Sequence, residues 1–80
     1  MRKRPLTKKP VDPWLRSVGA RIRLEREAAE LTQEKLDELA DLAPRTIQKI
    51  EAGRITILIT TLRRLRKAMG CSYENLLKEK

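Results

Sequence analysis

The stretch LTQEKLDELADLAPRTIQKIEAG, residues 31–53, decides the fold, because it reads as two short helices bent about a tight corner. Thr32 suits an N-cap, where its hydroxyl accepts a hydrogen bond from a free backbone N–H, and Gln33 and Glu34 follow in the first turn. Leu31 and Leu36 have the spacing of a hydrophobic staple, and Leu36, Leu39 and Ala40 make one apolar stripe. A second start follows at once. Pro44 suits the first helical position, which needs no N–H, and Leu42 and Ile47 repeat the staple. Ile47 and Ile50 form the buried side until Gly53 closes the helix. Helices joined by so short a turn cannot lie side by side and must cross steeply.

Upstream of this unit, Asp12 and Pro13 mark another helix start, and Leu15, Val18, Ile22 and Ala29 supply its apolar stripe. Trp14, in the first turn, reads as a lid on a small core rather than a stacking platform, since single-strand binders present several aromatic rings. Residues 1–11, MRKRPLTKKPV, carry five cations, no anion and two prolines, too little apolar content to fold alone. Arg2, Lys3, Arg4, Lys8 and Lys9 belong either to a flexible arm on DNA or to a solvated tail.

Downstream, Arg54 offers a phosphate contact and is followed by ITILITT, which is more apolar than a surface loop requires. One solution starts a helix with Thr56 as N-cap and buries Leu58, Leu62, Leu65 and Met69. Ile55, Ile57 and Ile59 then either form a dimer contact or thicken the core. Gly70 stops that helix, and Arg63, Arg64, Arg66 and Lys67 ring its outer side. Cys71 packs back on it, and Ser72 caps a last helix with Tyr73, Leu76 and Leu77. The expected helices span about 13–29, 33–40, 44–52, 57–69 and 73–78, an all-α bundle of one domain over residues 12–80.

Composition narrows the function. Eighty residues bury only about 60% of their unfolded surface, so stability is modest and a partner subunit could contribute. No apolar run reaches membrane-spanning length, the basic start leads into no signal-peptide core, and a lone cysteine suits a reducing compartment; the expectation is a soluble, cytoplasmic protein. A net charge of +8 favours a polyanionic partner, because each cation set on a phosphate releases counterions. With no histidine, no evident base for Cys71 and no Gly-rich phosphate loop, no enzyme activity, metal or cofactor is expected.

Three runs carry a resemblance over roughly residues 15–77: T-Q-x-x-L-x-x-x-A from Thr32, I-x-x-I-E-x-G from Ile47 and A-M-G-C-S-x-x-x-L-L from Ala68. With these the chain resembles the Cro/repressor (Xre-type) helix-turn-helix DNA-binding family. The resemblance implies a phage-repressor-like bundle of about five helices that binds operator DNA, commonly as a dimer, with its third helix in the major groove. It implies a structural ion pair between Arg26 and Glu51, a backbone contact at Gln33, and a final helix near a two-fold axis, which adds Tyr73 to the dimer contact. It places base contacts on Arg45 and Lys49, flanked by Pro44, Thr46 and Gln48. Chemistry agrees, since arginine and lysine can donate to guanine, glutamine can pair with adenine, and a threonine methyl can touch thymine.

Departures from the pattern set further expectations. Leu24 and Glu25 exchange the polar and apolar positions usual in the family, which suggests a rotated or repacked first helix. Glu34, Asp37, Glu38 and Asp41 make one acidic face turned from DNA, either solvated or a dock for a basic partner. Asp41 stands where the family has glycine, and Ala43 replaces a Ser or Thr cap worth about 1 kcal/mol. The leading reading is a sequence-specific regulator, a repressor on a palindromic operator. The alternative is a protein interaction module on the same fold, for example an antitoxin that holds a toxin.

Overall fold

Local capping side chains set where three of the helices begin. The computed structural model describes residues 12–78, which form α1 (Pro13–Ala28), α2 (Gln33–Leu39), α3 (Thr46–Glu51), α4 (Ile59–Met69) and α5 (Tyr73–Leu77). Asp12 Oδ1 accepts from the Trp14 amide at 2.8 Å, Thr32 Oγ1 from the Lys35 amide at 3.0 Å, and Ser72 Oγ from the Asn75 amide at 3.1 Å. These three starts are the ones whose caps are local in sequence. Arg2, Lys3, Arg4, Lys8 and Lys9 lie outside the described residues.

The helix ends obey a second local rule. After α1, α2 and α3 the chain turns left-handed at Glu30 (φ 59°), Asp41 (φ 59°) and Gly53 (φ 71°). Each time the next residue's N–H returns to the last turn: Leu31 to the Arg26 carbonyl, Leu42 to that of Asp37, Arg54 to that of Lys49. This is the Schellman closure. Asp41 thus adopts the left-handed conformation for which the resemblance implies glycine.

α1 packs on α3 and α5, and α2 packs on α3 and α4. Val18, Ile22, Leu36, Ala40, Ile47, Ile50, Leu62, Leu65, Met69 and Leu76 make the core. Gly19 is buried where α1 crosses α3; a Cβ there would stand 2.7 Å from the Glu51 carbonyl oxygen. Absence of a side chain is what lets the two helices approach.

Several expectations are corrected. Leu39 is 51% exposed, and the buried side of α2 is Leu36, Asp37 and Ala40 instead. α1 is not rotated, since Leu24 points outward at 65% exposure and Glu25, half-buried, accepts from Asn75 Nδ2 at 3.4 Å. α4 starts at Ile59 behind an extended Leu58, so Thr56 is no N-cap and Leu58, 68% exposed, leaves the buried stripe to Thr61, Leu62, Leu65 and Met69. The apolar loop divides: Ile55 and Ile57 pack against the core, whereas Ile59 is 80% exposed. Arg66 is not simply solvated. Its guanidinium lies 4.9 Å from the Tyr73 ring centroid and donates to the Cys71 carbonyl at 3.4 Å.

Candidate nucleic-acid interface

The corner between α2 and α3 takes six residues, 40–45, rather than the three expected. Pro44 does not open α3. It precedes Arg45, whose φ of 71° and ψ of 6° are those of the third residue of a type II turn, closed by the Thr46 amide on the Ala43 carbonyl at 3.2 Å. Proline suits the second place of that turn, but the third favours glycine. Arg45 therefore holds a conformation that its surroundings must support.

The support comes from Asp37. It is only 4% exposed; its Oδ2 accepts from the Arg45 amide at 3.0 Å and its Oδ1 from the Ile47 amide at 2.9 Å. A carboxylate at the amino end of a helix satisfies orphan N–H groups and complements the helix dipole. Ala43 thus leaves no cap missing, because the cap reaches in from α2. Asp37 is also removed from the acidic face assigned to it, which keeps Glu34, Glu38 and Asp41 as exposed residues. Among the described residues no cationic side chain pairs with Asp37, so those amides are what offsets burial of its charge.

The far end of α3 is held as firmly. Arg26 Nε donates to Glu51 Oε2 at 2.7 Å and Nη2 to Oε1 at 3.2 Å, while Nη1 donates to the Leu31 carbonyl at 2.8 Å. The hydrogen bond to Glu51 raises the Arg26 pKa, against the lowering effect of burial. Gln33 Nε2 adds a donor to Glu51 Oε1 at 2.9 Å. That amide, expected on a phosphate, spends one of its two N–H bonds inside the protein. Gly53, at φ 71°, leaves room for α1, as a Cβ there would meet Arg16 Cα at 2.8 Å.

Between these fixed ends, the exposed side of α3 carries its charge. Arg45, Gln48, Lys49, Ala52 and Arg54 line one open groove, with Arg54 fixed beside Lys49 by the Schellman bond. The structure therefore brings together four of the residues expected at DNA. Pro44 is exposed outside that groove, and Thr46 uses its hydroxyl to donate to the Ala43 carbonyl at 2.7 Å. Gln33 sits apart with Glu51, and Tyr73 lies under Arg66. Sequence reasoning missed Asp37 and Gly19. The signal for Asp37 was present as a lack: a helix start at residues 43–45 with no capping side chain of its own, one turn of chain beyond a carboxylate next to Leu36.

A polar, cationic helix face, braced from behind by a second helix across a short corner, defines a helix-turn-helix DNA-binding domain. Residues 22–76 match the helix-turn-helix family. In structure the chain is similar to the clp gene regulator ClgR from Corynebacterium glutamicum, with 25% identity and TM-score 0.77 over 85% of this chain and 72% of that one. It is similar to the restriction-modification controller protein C.AhdI from Aeromonas hydrophila, with 25% identity and TM-score 0.72 over 79% of this chain and 94% of that one. It is also similar to the P22 c2 repressor, solved in complex with a synthetic operator, with 28% identity and TM-score 0.71 over 79% of this chain and 96% of that one. No curated protein matches it in sequence. The chain belongs to the Cro/repressor (Xre-type) helix-turn-helix family of DNA-binding regulators.

Proposed function

We propose that the protein is a sequence-specific transcriptional repressor that lays α3 in the major groove of a palindromic operator and binds as a homodimer in the cytoplasm. The observation that carries this reading is the groove shared by Arg45, Gln48, Lys49 and Arg54 on a helix fixed at both ends. Arg45 and Lys49 read base edges, Pro44, Thr46 and Gln48 flank them, and Gln33 and Arg54 meet the backbone. The cations of residues 1–11 add phosphate contacts. Two copies place their α3 helices one DNA turn apart, about 34 Å. The dimer contact draws on Ile59 and Tyr73, with Ile55 and Ile57 behind them. No residue of the interface is asked to do chemistry, and the reading needs no cofactor.

The test is selection of duplexes from a random pool, with the winners and shuffled DNA compared at two salt concentrations. A palindromic site bound on the order of 1000-fold tighter than shuffled DNA supports the dimeric repressor. Equal binding to every sequence, lost as salt rises, defeats it. A second reading, a module that holds a protein partner such as a toxin, is favoured by one feature: an apolar cleft of about 210 Å³ lined by Trp14, Leu15, Val18, Ile57, Ile59, Leu62 and Leu77.

A further inference from the structure

We propose that Asp37 is the positioning residue of the reading surface, and that by filling the amino end of α3 it gives up phosphate capture there in exchange for a fixed direction of Arg45. This rests on the reading in which α3 enters the major groove. The amino end of a helix ordinarily offers open N–H donors, which attract a phosphate. Here the amides of Arg45 and Ile47 are taken by a buried carboxylate, at 3.0 and 2.9 Å. A phosphate oxygen finds those donors occupied and meets a negative charge behind them. Backbone contacts near α3 must come instead from side chains, Arg54 beyond its other end and Gln33 at the start of α2.

What Asp37 supplies in return is direction. Its backbone carbonyl takes the Leu42 amide at 2.8 Å while its carboxylate takes the two amides beyond the turn. One residue therefore bonds to the chain on both sides of the corner. The left-handed backbone of Arg45 persists only where surroundings over-determine it, and two of those surroundings are the Asp37 carboxylate and the Pro44 turn. Without the carboxylate Arg45 can relax to an ordinary conformation, which turns its Cα–Cβ bond and moves its guanidinium off the base edge. Lys49 lies a turn further on; its amide reaches back to the Arg45 carbonyl at 3.3 Å, but its own carbonyl takes the Arg54 amide at 3.0 Å at the closed end of the helix, which keeps it in place.

The experiment measures operator and shuffled duplex binding by fluorescence anisotropy for the wild type, Asp37→Asn and Asp37→Ala, using the site the wild type selects. Asparagine keeps the shape and one acceptor oxygen but turns a donor toward the other amide. The expected result is a specific affinity lowered about tenfold or more in Asp37→Ala and by less in Asp37→Asn. Binding to shuffled DNA stays within about twofold, and lost discrimination is confined to the base pair that Arg45→Ala also relaxes. Unchanged specificity in folded Asp37→Asn overturns the proposal, as does an equal loss on operator and shuffled DNA. If Asp37→Ala does not fold, Asp37→Asn and amide exchange of the wild type decide: Arg45 and Ile47 amides exchanging as fast as open loop amides overturn it. A wild type that selects no site defeats the DNA-reading proposal and this one with it, whereas a selected site with indifferent Asp37 variants defeats this one alone.

Discussion

Among the described residues, two helix starts lack a capping side chain of their own, and they are treated in opposite ways. α3 begins behind Arg45 and α4 behind Leu58, and neither side chain makes a capping bond. At α3 a buried carboxylate from another helix supplies the missing acceptor. At α4 the start is left open, with Leu58 and Ile59 turned outward. The helix that carries Lys49 and follows Arg45 is fixed from within; α4 is not. Rigid support under a recognition surface reduces the ordering cost of binding, so the uneven treatment fits the role proposed for α3.

The contrast is broken most severely at the far end of α3. Glu51→Ala leaves the buried Arg26 guanidinium with the Leu31 carbonyl and a half-exposed Glu27 carboxylate 4.0 Å away, and is expected to cost about 3 kcal/mol in urea unfolding. The Arg26 pKa is raised in the folded state, so its contribution is complete below its unfolded value and lost only as pH rises through the higher folded one. Both lie far above ordinary buffers. The cost of Glu51→Ala that comes through Arg26 should accordingly be the same at pH 6 and pH 9, and a marked change over that range would assign the effect to another group. Gly19→Ala comes next. Its Cβ cannot fit against the Glu51 carbonyl unless α1 and α3 separate, an overpacking expected to cost about 2–3 kcal/mol by thermal or urea denaturation. A neutral result would show that the two helices are free to slide. Asp37→Ala makes the start of α3 like that of α4, with an expected loss of about 2 kcal/mol.

How much of this could be read from residues depends on whether the determinant is local. Asp12, Thr32 and Ser72 cap the helix that follows each of them, and Gly53 ends the helix before it; such features are visible within a few residues. Gln48 and Lys49 share the exposed side of α3 by helical spacing in the same way, whereas Arg45 reaches their groove from the turn before the helix. The Arg26–Glu51 pair spans 25 residues and came through the family resemblance, not through spacing. Asp37 defeated both routes. Helical spacing set it with Glu34, Glu38 and Asp41, and composition gives no reason to bury one acid of four; only the meeting of α2 with the start of α3 selects it. The loop at residues 55–59 departs in part from expectation for a related reason. An apolar run says how much surface seeks cover, whereas which residues receive it, Ile55 and Ile57 but not Leu58 and Ile59, depends on the path of the chain.

The smallest effect sharpens the comparison from the other side, by giving α4 the cap it lacks. Leu58 has the extended backbone of an N-cap, φ −68° and ψ 147°, and is 68% exposed, so Leu58→Asp can cap the first turn with little loss of packing. The expected gain is about 0.5–1 kcal/mol in the midpoint of dilute-protein unfolding. The same substitution sets a charge beside Ile59, where the proposed dimer forms, and a charge facing an apolar contact weakens it. A monomer that is more stable while sedimentation shows weaker self-association would mean that the start of α4 was left uncapped in favour of a sticky surface. Added stability with association unchanged would move the dimer contact elsewhere on the molecule, with Tyr73 as the next position to alter. Lost stability in the monomer would mean that Leu58 contributes packing its exposure does not suggest, and the contrast between the two starts would then rest on α3 alone.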